Sequence, residues 1–298
     1  MLFDIANISR DVIANDCLTK KKVSLHILRL DKVHPVVSGN KLFKLHYFLQ
    51  DALTYSLPGI ITFGGAYSNH LVATAYACKT AGLKCIGLVR GEKPAILSST
   101  LKACMEYDMQ LHFLPRAIYA KKDTADFVES FTDKWKKYGW VPEGGYHPKG
   151  AAGAALITKL IDDSTTHICS ALGTVTTLAG LITGAKKHQQ VIGIPALKGM
   201  TDIDERIEYL TNKTGTYQLM NEYHFGGYAK KTPALIQFMN NLYKQNNIPT
   251  DFVYTAKMMF AVMDNIEKDF FPPGSIITCL HTGGLQGNSS LPAGTLIF

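Results

Sequence analysis

Between Gly59 and Pro195 short apolar runs alternate with helical patterns, and this alternation constrains the fold more than any other feature of the chain. Gly59–Gly65 (GIITFGG) reads as a buried strand. Ser68–Thr80 follows as a helix, with Ser68 or Asn69 as its cap and Gly82 just past its end. Cys85–Val89 and Gln110–Leu114 are further strands. Asp123–Lys137 carries Phe127, Phe131 and Trp135 at four-residue spacing, the pattern of an amphipathic helix. Strand His167–Leu172, helix Thr176–Lys187, strand Val191–Pro195, a helix around Pro233–Gln245 and strand Ser275–His281 complete the series. Strands separated by helical crossovers lie parallel, so the expected class is α/β with mostly parallel sheets.

Four junctions in this series concentrate polar residues. Ser38-Gly39-Asn40-Lys41, with Lys44 beyond it, places a lysine at the start of a helix over Leu42–Leu53, and Val36 and Val37 lead in as a strand end would. The positive end of a helix favours a neutral, nucleophilic amine, which a Schiff-base cofactor requires. Gly64-Gly65-Ala66-Tyr67-Ser68-Asn69-His70 ends a strand on two glycines and opens a helix, whose free N–H groups suit a carboxylate. Gly173-Thr174-Val175-Thr176-Thr177, with Gly180 one turn on, is neither a Walker loop nor a GxGxxG, yet its hydroxyls and N–H groups suit a phosphate. His281-Thr282-Gly283-Gly284 follows the last strand, where open α/β sheets bind their ligands. Taken singly, each has a plainer reading: a solvated lysine, helix caps, an ordinary strand-to-helix turn, a core histidine.

Composition narrows the partners. The formal net charge is +7, but the lysines are scattered and form no stripe, which argues for an anionic small molecule over nucleic acid. The six cysteines include no CxxC pair and sit in apolar contexts, so reduced thiols in a cytoplasmic protein are expected, with no metal. The N-terminal segment lacks the features of a signal peptide, and no apolar run reaches membrane-spanning length.

Together the junctions resemble the pyridoxal-phosphate enzymes comprising 1-aminocyclopropane-1-carboxylate (ACC) deaminase and D-cysteine desulfhydrase. The resemblance runs from about Asp31 to Gly284 through SGNKLFKL, FGGAYSNH, VPEGGYHPKGAAG (Val141–Gly153), SALGTVTTLAG, VYTAK (Val253–Lys257) and LHTGG, in the family's order. It implies a tryptophan-synthase-β-like fold of two open, twisted, mostly parallel sheets flanked by helices. Residues 46–150 would form a small domain, residues 1–45 and 151–298 a large one, and the protein a homodimer. The implied cofactor is pyridoxal 5′-phosphate. Lys41 then resembles the Schiff-base lysine, Lys44 a ligand of the cofactor phosphate, and Asn69 the partner of the pyridoxal 3′-oxygen. Gly173, Thr174, Val175, Thr176 and Thr177 match the phosphate loop, and Thr282 the hydroxyl facing the pyridine nitrogen. Ser68, Asn69 and His70 resemble the cradle of the substrate carboxylate, and Tyr228 and Tyr254 two active-site tyrosines. Lys41, Ser68 and Tyr254 are the implied catalytic residues. Val175 stands where relatives often have glycine, so the loop is expected to avoid positive φ there.

The same resemblance bears on the substrate. ACC deaminases carry a glutamate after the tyrosine of the VY block and a leucine in the HxGG block, where this chain has Thr255 and Thr282. Hydroxyl residues there suggest α,β-elimination from a small D-amino acid, D-cysteine foremost, to pyruvate, sulfide and ammonia. The alternatives are ACC deamination, another D-amino-acid ammonia-lyase activity, or a catalytically weak pyridoxal-phosphate-binding protein.

Overall fold

A computed structural model describes residues 3–37, 39–130, 135–212 and 215–298. It contains two open sheets, both mostly parallel. The four-stranded sheet has the order β5-β4-β3-β6, from β3 (Gly59–Gly64), β4 (Lys84–Arg90), β5 (Met109–Leu114) and β6 (Gly139–Val141), all parallel. The six-stranded sheet has the order β1-β2-β10-β7-β8-β9. Its strands are β1 (Ser9–Ile13), β2 (Ser24–Arg29), β7 (His167–Leu172), β8 (Gln190–Pro195), β9 (Gln218–Leu219) and β10 (Ile276–Leu280), and only β1 with β2 is antiparallel.

Every residue of β3 and β7 is buried, as helices on both faces of a parallel sheet require. Alternation along the strands sorts side chains between two cores per sheet. Ile60, Cys85 and Val89 pack with Leu42, Leu45 and Leu71, while Ile61, Ile86 and Leu88 face Phe63, Tyr119, Phe127 and Trp135. In the larger sheet Leu25, Ile27 and Cys169 meet Met258 and Val262, whereas Leu28, Ile168 and Leu172 meet Phe43 and Leu178. Each fully buried Leu or Ile contributes about 1.5–3 kcal/mol.

The helices that matter for function are α1 (Lys41–Thr54), α2 (Asn69–Thr80), α3 (Pro148–Ala155), α4 (Thr176–Gly184), α5 (Ile203–Thr211), α6 (Pro233–Asn246) and α7 (Thr255–Glu267). Within the helix expected over Asp123–Lys137, Ala125–Glu129 is helical and Phe131 lies outside the described residues. Two expectations need correction. The helix from Thr176 stops at Gly184 because Ala185 is extended, at φ −65° and ψ 148°. Val36 and Val37 form no strand end; they are a bend whose N–H groups donate to His34 Nδ1 at 3.1 and 3.0 Å. Among the described residues no helix is long and apolar enough to cross a membrane.

Candidate active site

One cleft of about 970 Å³ is lined by the segments that follow the C-terminal ends of β3, β4, β6, β7, β8 and β10. Lys41, Lys44, Ser68, Asn69, His70, Gly173, Thr174, Val175, Thr177, Tyr228, Tyr254 and Thr282 all line it. Thr176 does not; its hydroxyl shares a hydrogen bond of 2.9 Å with that of Thr174. Four junctions far apart in sequence thus become one site, because parallel strands deliver their following loops to the same edge.

The lysine junction is pressed onto the last strand's turn. Gly39 has φ 86°, and a Cβ there would stand 1.7 Å from Thr282 O, so only glycine lets the two turns meet. Asn40, 4% exposed, joins two other parts: its Nδ2 donates to Thr177 Oγ1 at 2.6 Å, and its Oδ1 accepts from Lys41 Nζ at 2.7 Å. Lys41 is the first residue of α1. Burial pushes its amine down to about 8, opposed by the charge of Asp251. The lowered amine pKa expected from the helix end therefore has burial as its main cause. Lys44, one turn on and buried, donates to Gly144 O at 3.3 Å. Burial and then the charge of Lys41 drive its pKa well below the usual lysine range. Among the described residues neither lysine pairs with a carboxylate, and the charge on Lys41 lowers the affinity of Lys44 for a proton, an arrangement that an anion between them would relieve.

Ser68 caps α2, its Oγ accepting from Leu71 N at 3.3 Å. The N–H groups of Asn69 and His70 fall in the first turn, where a helix leaves donors without internal partners. The His70 ring is turned away to structure: Nε2 lies 2.8 Å from Thr62 Oγ1, which donates its own hydrogen to Val141 O at 2.9 Å. Thr62 then accepts from His70 Nε2–H, and the buried Nδ1 makes no hydrogen bond to a side chain. Burial, with Lys41 and Lys44, pushes this imidazole down to about 3, so it is neutral. Any grip on a carboxylate comes from the backbone of His70 and not from its ring. Asn69 Oδ1 is buried without a partner and waits for a donor.

The loop after β7 corrects the expectation for Val175. Its φ is 67° and ψ −18°, in the left-handed region the loop was expected to avoid. The turn from strand to helix demands it, and the cost is offset because the isopropyl group is 2% exposed and packs in the core with Leu172 and Leu178. A left-handed residue beside right-handed ones turns successive N–H groups to one side, a concavity that fits an anion.

The far wall is built by α7. Tyr254 precedes it, lies over Gly173, where a Cβ would stand 3.2 Å from its hydroxyl, and holds its ring 6.1 Å from that of Tyr228. Burial, then Tyr228 and Asp251, raise the Tyr254 pKa well above the usual tyrosine range, so the phenol keeps its proton. Asp251 lines the cleft at 1% exposure and caps this helix. Its Oδ2 accepts from Val253 N and Tyr254 N at 2.9 and 2.8 Å, and its Oδ1 from Thr255 N and Thr255 Oγ1 at 2.9 and 2.7 Å. Thr255 is fully buried, closed on Asp251 and absent from the cleft lining. Sequence reasoning missed Asn40 and Asp251. Asn40 was within reach, since it adjoins Lys41 in the same motif; Asp251 shows no signal before folding brings it under Tyr254.

The donor set fits an aldehyde-bearing phosphate ester: an amine of lowered pKa, a second buried lysine, an anion-shaped loop and an unsatisfied amide oxygen. The comparisons agree. The family model for pyridoxal-phosphate dependent enzymes matches residues 18–283. A putative 1-aminocyclopropane-1-carboxylate deaminase of Pyrococcus abyssi is 28% identical over 284 residues, 89% of this chain and 86% of that one. A D-cysteine desulfhydrase of Serratia proteamaculans is 22% identical over 284 residues, covering 87% and 86%. The crystal structure of an ACC deaminase homologue superposes with a TM-score of 0.79 at 25% identity, over 97% of this chain and 92% of that one. Cleft, lysine pair and matched length converge: the chain belongs to the family of pyridoxal-phosphate dependent enzymes.

Proposed function

We propose that this enzyme eliminates the β-substituent of a small D-amino acid, D-cysteine foremost, consuming one water and releasing pyruvate, sulfide and ammonia. The carrying observation is Lys41: an amine near pKa 8, in a cleft that the N-terminus of α2 also lines. Bound pyridoxal phosphate would supply an electron sink for the pair left on the substrate Cα. Lys41 Nζ would bond the cofactor at rest and take the Cα proton during turnover. Lys44, Thr174, Thr177 and the 173–176 N–H groups would hold the phosphate, and Asn69 the ring hydroxyl. Thr282 would face the ring nitrogen; a hydroxyl protonates it less fully than a carboxylate, which favours elimination over transamination. Ser68 and the first N–H groups of α2 would hold the substrate carboxylate. Tyr254 Oη, still protonated, would donate to the departing sulfur, with Tyr228 beside it.

A second reading is ACC deamination. The Pyrococcus abyssi relative, at 28% identity, carries that activity in its name, and the desulfhydrase stands at 22%. Thr255, enclosed by Asp251, bears less on this choice than Thr282, which borders the cleft. Keto-acid assays on D-cysteine, ACC, β-chloro-D-alanine and D-serine separate the readings: turnover of ACC alone overturns the first. Lys41→Ala should lose the yellow cofactor absorbance and turnover together, and retained turnover would sink the assignment.

A further inference from the structure

Lys257 lies in α7 one turn after Tyr254, outside the cleft lining and completely buried. Its Nζ donates to three backbone carbonyls: Gly227 O at 2.8 Å, His224 O at 2.9 Å and Ala196 O at 3.4 Å. An ammonium has three hydrogens, and all three are engaged. Burial lowers this amine to about 8 while Asp251 opposes, so it stays charged at neutral pH.

Two of the three carbonyls belong to the turn that carries Tyr228. That turn is held in an unfavourable backbone: φ is 52° at Phe225, 93° at Gly226, 115° at Gly227 and 53° at Ala229. Left-handed conformations at non-glycine residues persist only where the surroundings impose them. The N–H of Gly226 donates to His224 Nδ1, that of Gly227 to His224 O and that of Lys230 to Gly227 O, all within the turn itself. They cannot anchor it to the rest of the protein. Tyr228, 56% exposed, still projects into the cleft beside Tyr254.

We propose that Lys257 is a positioning residue whose ammonium fills a cage of three carbonyl oxygens and so holds the 224–229 turn, and Tyr228 with it, against Tyr254. The inference rests on Tyr228 being a substrate-side residue. It assigns a cation site that the protein fills from its own chain. One helix thereby sets both tyrosines, Tyr254 directly and Tyr228 through the cage.

The test uses the cofactor-loaded enzyme and trypsin, because Lys230 and Lys231 are exposed at the end of the turn. Lys257→Ala should be cut there about tenfold faster than wild type, since cleavage follows the population of the opened turn. Ammonium chloride should restore protection by entering the vacated cage, and tetramethylammonium chloride at equal ionic strength should not. Lys257→Met, which keeps the volume and loses the donors, should be cut equally fast and ignore ammonium. In the variants KM for D-cysteine should rise more than kcat falls. Cleavage of Lys257→Met at the wild-type rate, or equal effects of the two salts on Lys257→Ala, overturns the proposal. Failure of both variants to fold overturns it in favour of a plain core role. An inactive wild type would retire the D-cysteine reading and leave the protection result standing.

Discussion

Asp251→Asn isolates a group that serves the fold and the site at once. In the wild type each carboxylate oxygen accepts two hydrogen bonds, from Val253 N and Tyr254 N on one side and from the N–H and hydroxyl of Thr255 on the other. Asparagine keeps one acceptor and presents an NH₂ in place of the other. With the NH₂ on the Oδ1 side the Thr255 hydroxyl can turn to accept from it, and the Thr255 N–H alone loses its partner; turned the other way, the N–H groups of Val253 and Tyr254 both do. The first orientation is the cheaper, and one lost partner in a buried setting costs about 1–3 kcal/mol. For a chain of this length that lowers the melting temperature by about 2–5 °C. Differential scanning calorimetry at neutral pH reads it directly, and a drop under about 1 °C would refute the capping argument.

The same substitution removes the charge that raises the Lys41 pKa, so the amine should fall below about 8. With a pKa of about 8 roughly one Lys41 in ten is neutral at pH 7, which limits any gain in the rate of pyridoxal-phosphate uptake to about tenfold. Uptake followed by absorbance should rise with pH up to about 8 in wild type and level off earlier in Asp251→Asn. Identical profiles would mean that the carboxylate does not reach the amine.

Three further outcomes follow from single contacts. Arg29, 4% exposed, pairs with Asp31 at 2.7 Å and Asp11 at 2.6 Å; Arg29→Met strands the equally buried Asp31 and should cost about 3–5 kcal/mol in urea unfolding, part of it recovered in Arg29→Met with Asp31→Leu. The His70 imidazole is held down to about 3 against about 6.5 unfolded, so the unfolded chain binds the extra proton first and stability falls as pH falls between those values, by up to about 1.4 kcal/mol per unit. His70→Asn should flatten that slope, and parallel slopes in the two proteins would count against it. Val175→Gly relieves left-handed strain of about 1–2 kcal/mol but deletes a buried side chain worth about 1.5–3 kcal/mol and frees the unfolded backbone, so the net should be a loss of about 1–2 kcal/mol; a more stable variant would show that strain dominates.

The pattern of what sequence revealed follows from where the determining forces act. β3 and β7 were legible because strands buried on both faces need continuous apolar runs, and GIITFG and HICSAL are such runs. The β1–β2 pair was not, because SRDVI and SLHILR mix polar and apolar residues as strands near a sheet edge do. Helices α3 and α7 were hidden inside stretches read for their motifs, although Pro148 after His147 marks a helix start. At the site, residues whose role is set by their own junction, such as Ser68 as a cap, could be read locally. Val175 could not, since a valine is placed at positive φ by a core that forms around it. Thr255 carried weight for substrate choice while its neighbours were known only in sequence. Asp251, four residues earlier and invisible as a site residue, takes up its hydroxyl and, with Lys41, lines the cleft. Of the two threonines, Thr282 borders the cleft, whereas Thr255 meets it only through Asp251, a carboxylate whose oxygens already accept four hydrogen bonds.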